Sequence, residues 1–174
     1  MTKKISIVTP CYNEEFNVEP LYEKVKIEMA KLSNYTYEHI FIDNYSTDNT
    51  LLKLKSIASV DKNVKIIVNA RNFGHIKSPY YGMLQADGDV VISLVSDLQD
   101  PPELIPDFIK KWEEGYKIVV GVKEKSEENF IMFSIRKLFY KVIDRISDTS
   151  QIQNFTGFGL YDRQFMEVLR NIQE

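Results

Sequence analysis

The sequence predicts an α/β fold with a mostly parallel sheet and helices on both faces. Three observations lead there. Short apolar, β-rich runs alternate with helical segments along most of the chain. Loops dense in side-chain oxygens follow the first, second and fourth of those runs, and in a parallel sheet all three open on one edge. The fourth run leads into a helix start, Asp100-Pro101-Pro102-Glu103. Asp100 and Glu103 there have capping-box spacing, and Pro101 takes the first helical position.

Taken in order, residues 5–9 form a buried strand and 10–17 a polar loop. A helix follows over 18–32, with Leu21, Val25, Ile27, Met29 and Leu32 as its apolar positions. The second strand spans 37–42. Its loop, 43–50, leads into a helix over 51–59, with Ser46 or Asp48 as its cap. The third strand is 64–68. After the loop Arg71-Asn72-Phe73-Gly74-His75, a helix is expected from Pro79 to Gln85. Asp87-Gly88-Asp89 is a turn. The fourth strand runs over 90–95, and Gly115 stops the helix after it. The fifth strand is 117–122.

Beyond it the pattern changes. Residues 123–129 are charged. Ile131, Ile135, Leu138, Val142 and Ile146 make a helical apolar stripe beside Lys137, Lys141 and Arg145. That helix either packs on the sheet or lies against an anionic membrane. Residues 154–160 read as a loop bearing Gly and Phe. A last helix from about Arg163 runs to the end without a stop signal, which leaves a continuation of the natural chain open.

The 174 residues suit one domain, 1–174, with a real core. A net charge of -3 exerts no general pull toward nucleic acid. Cys11 is the only cysteine, so no internal disulfide forms and a reducing compartment is the default. No motif links His39 or His75 to Cys11, which reads as a small packed hydrophobe. Met1-Thr2-Lys3-Lys4 leads straight into a strand rather than a signal segment. No apolar run approaches the roughly 20 residues of a membrane span.

The three polar loops carry the chemistry. Asp97 and Gln99, two apart in a segment expected to be extended, can point together into a crevice at a strand end. An acid and an amide carbonyl there suit a hard cation carrying a phosphate. The alternative is that Asp97 starts a turn. Tyr12 can stack on a base, Asp43 can accept from its N–H, and Glu14 can accept from a ribose. The alternative for Asp43, Ser46 and Asp48 is a turn or cap role. Neither GxGxxG nor GxxxxGK[ST] occurs, which a metal-held diphosphate explains.

These residues resemble family 2 glycosyltransferases of the GT-A (Rossmann-like) fold. The similarity runs through Thr9-Pro10-Cys11-Tyr12-Asn13-Glu14-Glu15, then Ile42-Asp43-Asn44-Tyr45-Ser46-Thr47-Asp48, then Asp97-Leu98-Gln99-Asp100-Pro101-Pro102-Glu103. Arg71-Asn72-Phe73-Gly74 and Phe158-Gly159-Leu160-Tyr161-Asp162-Arg163 are similar to the dolichyl-phosphate mannose synthase and undecaprenyl-phosphate glycosyltransferase branch. The resemblance implies that Pro10, Tyr12, Asn13, Glu14, Asp43 and Arg71 bind a nucleotide-diphosphate sugar. It implies that Asp97 and Gln99 hold a divalent metal, Mg²⁺ or Mn²⁺, and the diphosphate. It also implies a cytoplasmic domain peripheral to or anchored at the inner membrane.

Three departures stand out. Val95 replaces the first Asp of the usual Asp-x-Asp, Lys123 an Arg, and Gly159 the Arg of the usual Phe-Arg-Leu. The membrane-spanning helices common in the branch are absent.

The acceptor is expected to be a polyprenyl phosphate steered by Lys123, Arg136 and Lys137. A sugar hydroxyl would need a general base. No Glu-Asp pair follows Val122, and Asn154-Phe155-Thr156-Gly157 lacks a carboxylate. Asp148 or Asp162 could still fold into the site, so a glycan hydroxyl stays as the rival acceptor. A nucleotide-sugar binder without turnover is the rival outside the enzymes. Oligomerisation stays open.

Overall fold

A computed structural model describes residues 2–122 and 155–172. The chain forms two compact units, Met1–Val120 with Gly157–Glu174, and Gly121–Thr156. The described elements are β1 (Lys4–Cys11), α1 (Val18–Lys31), β2 (Thr36–Asp43), α2 (Thr50–Val60), β3 (Val64–Val68), α3 (Gly74–Gln85) and β4 (Val90–Ser93). A 3-10 turn (Pro102–Leu104), α4 (Ile105–Glu113), β5 (Ile118–Val122), β6 (Phe155–Asp162) and α5 (Arg163–Asn171) complete them. Lys123, Arg136 and Lys137, and the basic aromatic helix expected beside them, lie outside the described residues. No helix of the described residues is long and apolar enough to cross a membrane.

The sheet has six strands in the order β3-β2-β1-β4-β6-β5. β1 pairs in parallel with β2 and β4, β2 in parallel with β3, and β6 antiparallel with β4. Alternation along β1 sends Ile5 and Ile7 into the larger core, with Leu21, Phe41, Leu54 and Ile109. Val8 faces the smaller core, with Ile40, Val91 and Met166. The α/β layering with helices on both faces is therefore as expected.

Several ends differ by one or two residues, β4 for example stopping at Ser93 and not at 95, and four larger differences from the sequence reading have a physical reason. β1 continues through Pro10 and Cys11, which pair with Ile42 and Asp43. Pro10 lies past the last β1–β4 pair, Val8 with Ser93, so its missing N–H breaks no bond on that side. α3 begins at Gly74, with Pro79 inside it, because Asn72 Oδ1 accepts from Gly74 N at 2.8 Å and sets the start earlier. The expected capping box at Asp100 does not form. Pro101, not Asp100, is the cap of the 3-10 turn; it precedes another proline, which holds it extended at φ -77°, ψ 116°, and a proline side chain makes no cap bond. Glu103 instead meets Lys24 at 3.1 Å. Finally, residues 155–160 of the expected loop are not a loop, since Phe155–Asp162 is strand β6, and residue 154 lies outside the described residues. A side-chain carbon on Gly159 would stand 2.9 Å from the Val119 carbonyl, so glycine here serves strand packing, not a turn.

Two buried ionisable groups shape stability. Glu38 accepts from Ser6 Oγ at 2.5 Å and pairs with Lys4 and Lys65. Burial raises its pKa, but contacts with the Asp87, Lys65, Ser6 and Lys4 side chains win and set it at about 2. His39 is buried, with Nε2 2.9 Å from Thr9 Oγ1 and its ring 3.9 Å from that of Phe41. Burial pushes its pKa from 6.5 to about 3. A depressed histidine stabilises fully above its unfolded pKa, and that contribution is lost as pH falls. Between pH 6.5 and 5 the unfolded chain takes up the proton and the folded chain does not. Stability should drop by roughly 2 kcal/mol over that window in urea titrations. Glu38 acts in a lower window, between 4.5 and about 2. His39→Gln should flatten the upper window and leave the lower one.

Candidate active site

The C-terminal ends of β1, β2 and β4 meet at one edge of the sheet. Asn44 N donates to Cys11 O at 2.8 Å, and Leu94 N donates to Val8 O at 3.0 Å. Ser96 Oγ donates to Pro10 O at 3.1 Å, which ties the loop after β4 to the end of β1. These bonds frame a cleft of about 460 Å³. Pro10, Tyr12 and Glu14 form one wall, Val95 and Asp97 another, and Asn72, His75 and Ser78 a third.

The loops after β1 and β2 are stitched by reciprocal bonds. Asn13 N donates to Ser46 Oγ at 3.0 Å, and Thr47 N donates to Asn13 Oδ1 at 2.8 Å. Glu15 N donates to Asp48 Oδ2 at 3.1 Å, and Asn49 N donates to Glu15 Oε2 at 3.0 Å. Partial burial works to raise the pKa of Asp48. Bonds from the Thr50 hydroxyl and from the Thr50 and Glu15 amides outweigh it and hold the carboxyl low. The stitching leaves Tyr12 and Tyr45 about half exposed at the rim. An exposed ring on a pinned loop is a surface on which a planar base can stack.

Asparagines organise the third wall. Asn44 Nδ2 donates to Asn72 Oδ1 at 3.0 Å, and its Oδ1 accepts from Asn69 Nδ2 at 3.0 Å and Phe73 N at 2.9 Å. Asn69 also donates to Ser78 Oγ at 2.9 Å. One buried amide thus fixes the loop before α3, where Gly74 adopts φ +83°. Sequence reading missed Asn44, Asn69, His75 and Ser78 as parts of this wall. The available signal was an asparagine directly after each of two adjacent strands.

Of the residues expected to bind nucleotide, Pro10, Tyr12 and Glu14 face the cleft with Asp97. Asn13 spends its side chain on the second loop. Arg71 stacks 4.7 Å over the Phe73 ring, outside the cleft walls. Asp43 is buried at the end of β2. Its Oδ2 accepts from Ser46 N at 3.3 Å, while its Oδ1 is buried without a hydrogen-bond partner. An orphaned carboxylate oxygen under the rim is suited to an N–H donor from a ligand.

Asp97 and Gln99 do not lie in an extended segment. Leu98 takes φ 61°, and Asp97 Oδ1 accepts from Gln99 N at 3.0 Å, so Asp97 also holds a turn. The carboxylate is exposed and keeps its second oxygen. Among the described residues no group of three His, Cys, Asp or Glu side chains could hold a metal. One carboxylate with an amide nearby still fits a hard cation that takes its remaining ligands from phosphates and water.

Cys11 is buried and donates to Thr9 O at 3.6 Å, with burial pushing its thiol well up. It packs rather than reacts. Asp162 is no candidate base. It sits at the far end of β6, paired with Val90 at the start of β4 and so at the opposite edge of the sheet. Its Oδ2 accepts from Trp112 Nε1 at 2.7 Å, and its Oδ1 caps α5 through Gln164 N at 2.9 Å. Burial raises its pKa, but the bonds from Trp112, Gln164 and Lys117 prevail and lower it.

Sheet order, cleft and strand-end carboxylates define a nucleotide-diphospho-sugar transferase fold of the GT-A type. The chain belongs to glycosyl transferase family 2, whose model matches residues 6–169. It is 33% identical over 172 residues to a prophage bactoprenol glucosyl transferase homolog of Escherichia coli, covering 98% of this chain and 56% of that protein. It is 32% identical over 173 residues to an undecaprenyl-phosphate 4-deoxy-4-formamido-L-arabinose transferase of Proteus mirabilis, covering 98% and 52%. The chain thus spans about half the length of these relatives. Among solved structures it resembles a mannosyltransferase of Pyrobaculum calidifontis in complex with GDP-mannose and Mn²⁺. That match has a TM-score of 0.66 at 15% identity and covers 97% of this chain and 47% of that one. A glucosyl-3-phosphoglycerate synthase of Mycobacterium tuberculosis, in complex with Mn²⁺ and UDP-glucose, matches with a TM-score of 0.64 at 19% identity. It covers 93% of this chain and 57% of that one.

Proposed function

We propose that this chain is a single catalytic domain that moves a sugar, with inversion, from a nucleotide-diphosphate sugar to a polyprenyl phosphate at the cytoplasmic face of a membrane. The nucleotide stacks at Tyr12, with Asp43 Oδ1 accepting from the base and Glu14 accepting from the ribose. Asp97, with Gln99 beside it, holds a divalent cation and through it the diphosphate. Such a cation, when bound, supplies Lewis acidity to the leaving diphosphate. An acceptor phosphate oxygen attacks the anomeric carbon from the opposite face. The new C–O bond forms as the bond to the diphosphate breaks, and the electron pair leaves with the diphosphate. A phosphate is already an anion and needs no base. Lys123, Arg136 and Lys137 steer it.

The observation that carries the lipid-phosphate acceptor is the position of Asp162. With Asp148 it was named above as a carboxylate that could activate a hydroxyl, and it is committed to Trp112 and α5. The relatives named for bactoprenol and undecaprenyl phosphate point the same way. The test offers the full-length protein and a matched donor either undecaprenyl phosphate or a lipid-linked sugar. Transfer to the phosphate is expected. Transfer only to the sugar hydroxyl would overturn this reading and turn attention to Asp148.

A further inference from the structure

The stretch from Val64 to Ala86 contains no Asp or Glu, yet carries Lys65, Arg71 and Lys77. That is unusual in a chain with 25 acidic residues against 22 basic ones. It folds as β3 at the edge of the sheet, the loop after it, and α3, which packs over β1 and β2. Two grooves of about 390 and 450 Å³ flank Tyr81, and no carboxylate lines either. Large apolar side chains stand exposed along this stretch. Ile76 is 71% exposed, Val68 52%, Tyr81 49% and Phe73 40%. Lys77 lines one groove, and neither it nor Arg71 has an ion-pair partner among the described residues. Lys65 lines the other groove and pairs with Glu38. The face adjoins the cleft, since Ser78 lines both the cleft and the Lys77 groove.

We propose that this acid-free face docks the domain on an anionic lipid surface, with Phe73, Ile76 and Tyr81 entering the interfacial layer and Lys77 meeting the headgroups. Exposed aromatic and aliphatic side chains among unpaired cations match that layer in both polarity and charge. A second copy of the chain fits worse. A two-fold contact sets the same patch against itself, so it would bring Arg71 and Lys77 against their own like charges. The choice of partner rests on the lipid-phosphate reading, because an acceptor held in a membrane must reach a cleft that opens close to it.

The test is co-sedimentation of the full chain with vesicles of phosphatidylcholine alone or mixed with phosphatidylglycerol. Binding is expected to the mixed vesicles only. Lys77→Gln should weaken it roughly fivefold. Ile76→Ser with Tyr81→Ser should weaken it further, while nucleoside-diphosphate affinity by calorimetry stays unchanged. Equal vesicle binding by parent and variants would overturn the proposal, as would equal binding to neutral vesicles. A parent that sediments as a dimer and variants that sediment as monomers would overturn it in favour of self-association. Transfer to undecaprenyl phosphate in detergent separates this proposal from the functional one. If the parent transfers there, the function stands whatever the vesicles show. Loss of transfer by the variants on vesicles but not in detergent is the outcome the docking face requires.

Discussion

Asp97→Asn should lower sugar transfer by at least about a hundredfold, and should make nucleoside-diphosphate binding indifferent to divalent cations. The asparagine can still accept from Gln99 N, so the turn at Leu98 survives. What disappears is the negative charge on an exposed carboxylate at the end of β4. Val95 stands where the family resemblance implies an acid, so Asp97 has no neighbouring carboxylate among the described residues to share the load. Val95→Asp should therefore tighten metal-dependent nucleotide binding. Calorimetry with and without Mn²⁺ reads both effects without relying on turnover. Parent binding that ignores the cation would remove Asp97 from its role.

Asp162→Ala should give the largest loss of stability, on the order of 3 kcal/mol in denaturant titrations. It strands the buried indole N–H of Trp112 and removes the cap of α5 together. Transfer per folded molecule should persist, because the residue lies at the opposite edge of the sheet from the cleft. A stable Asp162→Ala protein that has lost transfer would restore Asp162 as a catalytic acid or base.

Much of the architecture was legible because burial follows simple periodicities. β3 was read at its observed bounds, and α1 and α2 to within a residue or so, from apolar spacing and cap-forming loops. The misses came where a local rule met a competing constraint. Asp100 and Glu103 spell a capping box, but a proline pair holds the backbone extended there. Glycines at 157 and 159 spell a loop, yet Gly159 is small because β5 passes against it. Pro79 spells a helix start, but the Asn44 and Asn72 side chains accept from the Phe73 and Gly74 amides and start α3 a turn earlier.

At the site, the loops were legible and the division of labour within them was not. Tyr12, Glu14 and Asp97 face the cleft, whereas Asn13 holds two loops together and Arg71 lies on Phe73. Such assignments depend on which way a side chain turns in a loop. At Asn13 and Leu98 that is decided by positive φ, which no periodicity reports. The wall built on Asn44 was missed for the same kind of reason. Its role depends on the loops after β2 and β3 converging, and the sequence shows them only one at a time.

The central claim is that the cleft at the ends of β1, β2 and β4 is the donor site. Calorimetric titration of UDP and of GDP, each with Mn²⁺, into the parent, Tyr12→Ala and Asp43→Asn proteins tests it most directly. The exposed ring of Tyr12 can be removed without disturbing the core, and Asp43→Asn keeps the buried shape while changing what faces the orphaned position. The expected result is binding of one nucleotide by the parent, weakened at least about tenfold in each folded variant. Parent-like affinity in both variants would place the nucleotide elsewhere and contradict the account.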